Sequence, residues 1–185
     1  MDVVTGAFGY IGKYISKTLL ERGRTVCTIT THPDKPNPFG TAVKAFSYYF
    51  DDAAALIRTL SGAESLYNTY WIRFPFDGQT YEHALENTQT LFRCAKQAGV
   101  KRIVHIGVTR ASLDSDLPYY RGKAIQESML KESGVPFSIV RSGTRRVDRR
   151  ENWQETESRE SLSSVWYILR SYSQRILAGC IAHSE

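Results

Sequence analysis

Nothing in these 185 residues approaches the run of ~18 apolar residues that a membrane-spanning helix requires, so a transmembrane span is excluded. The chain passes from Met1 straight into a strand-like stretch rather than a basic leader with an apolar centre, and the expected location is therefore the cytoplasm. Cysteine is scarce: Cys27, Cys94 and Cys180 are odd in number and far apart, with no CxxC spacing. That excludes a redox pair or thiolate metal site, and leaves buried or idle thiols. The four histidines are scattered, none at a metal-ligand spacing from another, and no metal is expected. A block of like charge is also missing. The 24 Lys and Arg against 19 Asp and Glu give a formal +5, but the basic residues are dispersed, which is not the footprint of a nucleic-acid partner.

What is present is a globular composition, 42% hydrophobic and 23% charged, in a length suited to one α/β domain. Strand and helix patterns alternate from the first residue, which favours a parallel sheet with helices on both faces. Asp2 to Thr5 reads as a strand, and Tyr10 to Glu21 as a helix whose Ile11, Ile15, Leu19 and Leu20 recur at helical spacing. Thr25 to Thr30 is the second strand; His32 to Gly40, with three prolines, is a loop; Ala42 to Tyr48 is the third strand. Asp51 and Asp52 begin a helix running to Leu60, where carboxylates suit the helix dipole. Glu64 to Thr69, Arg102 to Gly107 and Pro136 to Arg141 complete six strands, with helices at Thr80 to Ala98 and Tyr119 to Ser133 between them. Beyond Arg141 the character changes: Thr144 to Ser161 is dominated by Arg, Glu and Ser, while Ser164 to Ile181 regains apolar spacing consistent with a terminal helix. The expected division is a domain at 1–144 and a divergent tail at 145–185. The tail's Trp153, Trp166, Tyr167 and Tyr172 cover either the core or a neighbouring chain, so a homo-oligomer stays open.

The segment Thr5-Gly6-Ala7-Phe8-Gly9-Tyr10-Ile11-Gly12 lies between the first strand and the first helix. Steric reasons connect this pattern to a diphosphate. Gly6 permits a tight turn, Gly9 allows backbone to approach the ligand, and Gly12 lets the helix pack close to the sheet. The amides of Phe8, Tyr10 and Ile11 belong to the same turn, where a helix N-terminus offers unpaired N–H groups to an anion. The expected fold is thus a Rossmann-type doubly wound parallel sheet, and the expected ligand a nicotinamide dinucleotide. At the end of the second strand stand Thr30, Thr31 and His32, with no acid on the strand end itself to hold a ribose 2′-hydroxyl or repel a 2′-phosphate; Asp34 comes later, beside Lys35. The reading leans to NADP over NAD. Asn68 and Thr69 should line the cofactor from the end of the fourth strand, and Asp51 or Asp52 stands in for the acid missing after the third.

The spacing GxxGxxG resembles the extended and atypical short-chain dehydrogenase/reductases, which include nucleotide-sugar epimerases, NmrA-like regulators and the Rossmann-fold subunit of respiratory complex I. The resemblance covers about residues 1 to 144. In Pro-Tyr-Tyr-Arg-Gly-Lys, Tyr119 and Lys123 match the superfamily's YxxxK motif. The resemblance implies that Tyr119 is the acid/base and that Lys123 both supports its phenolate and holds the nicotinamide ribose. A phenol with pKa ~10 needs such a cation to act as a base at neutral pH. Tyr120 is the rival if the helix is rotated, and Glu127 is expected to pair with Lys123 or Lys131. The family's catalytic hydroxyl falls at Val108, with Thr109 one step later and Ser112 and Ser115 as further candidates. Asn87 lies where relatives often keep an Asn, or faces solvent. Three readings follow: an NAD(P)-dependent oxidoreductase or epimerase-like enzyme acting on a small molecule not specified by the sequence, a non-catalytic dinucleotide sensor or scaffold, and a remnant without stable cofactor binding.

Overall fold

In the computed structural model, residues 1–142 are described, and their alternating strands and helices follow the hydrophobic periodicity closely. The strands are β1 (Asp2–Thr5), β2 (Val26–Thr30), β3 (Val43–Ser47), β4 (Ser65–Asn68), β5 (Arg102–Val108) and β6 (Phe137–Ser142). The helices are α1 (Tyr10–Glu21), α2 (Ala53–Leu60), α3 (Tyr81–Gln97) and α4 (Pro118–Glu132). No helix follows β2. The proline-bearing segment instead leads into a single 3-10 turn, Gly40–Ala42, as expected where Pro removes backbone donors. The tail, its terminal helix and its aromatic residues lie outside the described residues.

The six strands form one sheet in the order β3-β2-β1-β4-β5-β6, with β1–β2, β2–β3, β1–β4 and β4–β5 all parallel. Because successive strand residues point to opposite faces, Val3, Leu66 and Ile103 join Leu56, Leu60, Leu91 and Leu130 in one core beneath α2, α3 and α4. α1 contributes nothing to that cluster and packs on β1 and β2 through buried Ile15 and Leu19. Each of these fully buried aliphatic side chains contributes about 1.5–3 kcal/mol. This is the doubly wound Rossmann-type fold.

Helix starts are set by local chemistry. Asp52 Oδ1 accepts from the Ala55 amide at 2.9 Å, Thr80 Oγ1 accepts from the His83 amide at 3.2 Å, and Pro118 opens α4. α1 differs, with Gly9 at its N-cap and no side chain capping it. At the opposite end of the sheet, Arg24 grips the buried carboxylate of Asp2 through Nε at 2.7 Å and Nη2 at 3.1 Å, and also reaches Glu64. That clamp ties the starts of β1 and β4 to the end of α1, and the paired carboxylates raise the guanidinium pKa.

Candidate dinucleotide-binding site

The order of the sheet reverses between β1 and β4: β1 connects outward through α1 to β2, whereas β4 lies on its other side. A crevice forms at the carboxyl ends of such a pair, because the chain leaves the two strands in opposite directions. The Gly-rich turn after β1 fills one side of it. Gly6 sits at φ 65°, and its amide donates to Ile29 O at 2.8 Å. A Cβ on Gly12 would lie 2.2 Å from the Gly6 carbonyl oxygen, so only glycine lets α1 start this close to the turn. The Ala7 amide is taken by Thr28 Oγ1 at 2.9 Å and the Gly9 amide by Gly6 O at 2.9 Å, which holds the bend open and rigid. The first turn of α1, carrying Tyr10, Ile11 and Gly12, has no side-chain cap and no acidic residue. That turn itself therefore places no carboxylate against an anion approaching the helix N-terminus. Phe8 is half-buried beside it.

The opposite wall is a buried hydrogen-bond network. The Thr69 amide donates to Thr5 Oγ1 at 2.7 Å, Thr69 Oγ1 donates to Thr5 O at 2.5 Å, and the Tyr70 amide donates to Asn68 Oδ1 at 3.0 Å. Asn68 Nδ2 lies 3.0 Å from His105 Nδ1, an arrangement in which the amide donates and the imidazole proton sits on Nε2. Burial, with Lys123 and Arg141 nearby, pushes the His105 pKa down to about 3. His105 is thus a neutral buried spacer, invisible in the sequence because a single histidine within an apolar strand gives no signal. Asn87, read as either a family position or a solvent-facing residue, donates to the Tyr70 hydroxyl at 2.9 Å and so braces this wall.

The predicted adenosine end is open: Thr31, His32 and Asp51 are all exposed, and Asp52 is occupied as the α2 cap. A separate cavity of about 560 Å³, lined by residues including Cys27, Phe46, Asp52 and Arg58, shares no residue with the glycine turn.

At the other end, α4 carries Tyr119 and Lys123 on one side, as their spacing predicts. Lys123 is 4% exposed and donates to Ile106 O at 3.1 Å, and burial holds its pKa at about 7, with Glu127 opposing the fall. Tyr119 is half-buried, and its pKa is raised by burial and by Tyr120, with Arg73 opposing the rise. Tyr120 is half-buried beside it, ring centroids 5.4 Å apart. Glu127 makes its ion pair with Arg141 of β6, not with Lys123 or Lys131. Thr109 lies exposed in the turn after Val108, while Ser112 and Ser115 accept from the Asp114 and Leu117 amides, each at 3.3 Å, in local turns. Among the described residues no cluster suits a metal ion.

Sequence reasoning gave no role to Trp71 or Gly122. A Cβ on Gly122 would lie 2.6 Å from the Trp71 ring, and the same indole touches both Tyr119 and Lys123. The contact is between residues 51 positions apart, so no local pattern announces it.

Comparison with known proteins agrees with this geometry. The chain is 26% identical over 145 residues to the (4-alkanoyl-5-oxo-2,5-dihydrofuran-3-yl)methyl phosphate reductase of Streptomyces griseus, covering 78% of this chain and 48% of that protein. It is 26% identical over 148 residues to quinone oxidoreductase 2 of Escherichia coli, covering 77% and 48%. The chain thus spans about half the length of the curated relatives it matches. Its fold superposes on the NADPH-dependent quinone oxidoreductase of Escherichia coli complexed with NADPH at a TM-score of 0.65, with 24% identity over 77% of this chain and 48% of that one. The triphenylmethane reductase of Citrobacter complexed with NADP(H) gives 0.62, with 20% identity over 77% and 49%. A family profile described as NAD(P)H-binding matches residues 6–173 of the 185, and together with the uncapped α1 and its glycine turn this places the chain in the NAD(P)H-binding family of Rossmann-fold proteins.

Proposed function

We propose that this chain is the cofactor-binding part of an NAD(P)H-dependent oxidoreductase acting on a small-molecule carbonyl or hydroxyl compound, with NADP(H) preferred to NAD(H). The observation that carries the reading is the contact between Gly12 and the Gly6 carbonyl, which sets an uncapped helix N-terminus at the β1/β4 crevice. Thr30, Thr31 and His32 at the end of β2 place no acid against a 2′-phosphate, and Asp34 and Lys35 follow side by side in the same loop. In this reading residues 1–144 form the cofactor domain, residues 145–185 form a tail, and the protein acts in the cytoplasm.

The dinucleotide, when bound, supplies or accepts the hydride. The protein's part is to bind, orient and move a proton. The glycine turn would receive the diphosphate, Asn68 and Thr69 would line the ribose side, and the buried Lys123 would hold the nicotinamide ribose. Tyr119, whose raised pKa keeps its phenol protonated at neutral pH, suits the donation of a proton to a substrate oxygen.

Thermal melting with NADPH, NADH, NADP and NAD tests the reading. A ligand at 100 times its Kd stabilises the folded chain by about 2.7 kcal/mol, a clear rise in Tm. No shift with any of the four refutes dinucleotide binding. A second reading, a non-catalytic sensor, is favoured by Val108 at the family's hydroxyl position and by the exposure of Thr109. Tyr119→Phe divides the two: an enzyme loses turnover at unchanged affinity, whereas a sensor retains its function.

A further inference from the structure

The inward side of α4 is built around an absence. Gly122 has no Cβ, and the indole of Trp71 occupies the room that a Cβ would need. Tyr81 stacks on the indole from the start of α3, centroids 5.5 Å apart at 22°, and its hydroxyl donates to Arg73 O at 3.0 Å, which fastens the segment carrying Trp71. From this seat the ring meets the Tyr119 ring edge-on at 6.3 Å and lies 5.3 Å from Lys123 Nζ. The ammonium therefore rests between the Ile106 carbonyl and an aromatic face, an attractive but water-excluding arrangement.

We propose that Trp71, seated on Gly122, is the positioning residue of the nicotinamide end: it holds Lys123 against the Ile106 carbonyl of β5 and keeps water from its amine, so that Lys123 meets the dinucleotide from a fixed, dry seat. The proposal rests on the dinucleotide reading above. It assigns the segment between β4 and α3 a specific duty.

Among the described residues, the charged and titratable groups facing Lys123 can be named element by element. On α4 itself these are Tyr119 and Glu127, with the Glu127 carboxylate already engaged by Arg141 of β6; β5 contributes neutral His105. The segment between β4 and α3 adds no charge at the contact, only the indole. Water exclusion by Trp71 is then the part of the environment that a substitution can remove without changing a charge.

The test is the NADPH dissociation constant of the full chain, followed by cofactor fluorescence from pH 6.5 to 9.5, with Lys123→Met as the pH baseline. The 2′-phosphate ionises at about pH 6, near the lower edge of this range, and the baseline removes its contribution. Wild-type affinity should fall about tenfold as the ammonium loses its proton above pH 7. In Trp71→Ala, water reaches Nζ, and the midpoint of that fall should move up by about one pH unit. This variant should bind more tightly than wild type at pH 8.5. Trp71→Phe, which keeps an aromatic face, should stay near wild type. Gly122→Ala displaces the indole while leaving it in the chain; it should move the midpoint upward like Trp71→Ala, and it carries the test if Trp71→Ala does not fold. A midpoint unmoved in both, or a wild-type profile matching Lys123→Met, overturns the proposal while leaving cofactor binding intact. Absence of NADPH binding to wild type at every pH overturns the dinucleotide reading and this proposal with it.

Discussion

Replacing Lys123 by methionine exchanges a buried ammonium for an apolar chain of similar length, and the consequence for stability can be worked from the structure. The folded-state pKa is about 7, against an unfolded value near ~10.4. Between those values the unfolded chain binds a proton that the folded chain does not. Stability must therefore rise with pH across that window, by up to ~1.4 kcal/mol per pH unit. From pH 7 to pH 9 the rise is about 2 kcal/mol, with half of the folded molecules already deprotonated at the start. The buried thiols of Cys27 and Cys94, whose pKa burial raises, act in the opposite direction toward the alkaline end. The difference between wild type and Lys123→Met is accordingly the quantity to measure. Urea unfolding followed by far-ultraviolet circular dichroism at pH 7, 8 and 9 gives it directly. Wild type should gain about 2 kcal/mol relative to Lys123→Met over this range, and the variant should be the more stable at pH 7 by an amount that shrinks as pH rises. Parallel pH dependences for the two proteins would refute the burial of a chargeable amine at this position.

Other perturbations follow from the same coordinates. Gly12→Ala drives a Cβ into the Gly6 carbonyl and should cost about 3 kcal/mol or more in urea unfolding while abolishing the NADPH-induced rise in Tm; a variant that binds normally would remove the basis of the site. His105, with its pKa depressed to about 3 from an ordinary value near 6.5, makes the unfolded chain the better proton acceptor below pH 6.5. Stability should drop by about 2 kcal/mol between pH 7 and pH 5, and flat urea midpoints over that interval would contradict its burial. Arg24→Ala strands the carboxylate of Asp2 and should cost about 2–3 kcal/mol, reduced from a fully buried pair because Arg24 reaches solvent; an unchanged urea midpoint would show the clamp to be idle. Asp52→Ala removes the α2 cap and should lower stability by about 1 kcal/mol with NADPH affinity unaltered, which a paired urea and fluorescence titration would show.

Much of the fold was legible because its signals are local. Strand and helix bounds read from periodicity lie within a residue or two of those observed, and α1 runs from Tyr10 to Glu21 as its apolar spacing indicates. The glycine turn was legible for the same reason, since the steric demands on Gly6, Gly9 and Gly12 arise within a few residues of chain. Side-chain partners were harder to read. Glu127 has lysines at i−4 and i+4 on its own helix, yet it pairs with Arg141, which the sheet brings beneath α4 from 14 residues away. Asp51 and Asp52 both read as candidates for the adenosine end, and the structure commits Asp52 to capping α2.

By itself the sequence determined the alternation of strands and helices, the glycine-rich bend, and the presence of Tyr119 and Lys123 on one side of a helix, because each depends on torsional preference and periodicity over a short span. Tertiary structure alone decided the surroundings of Lys123. That its amine lies buried between a strand carbonyl and an aromatic face depends on which ring fills the gap beside a glycine. That ring arrives from a segment about fifty residues earlier, brought there only when α3, α4 and the sheet close around a shared core.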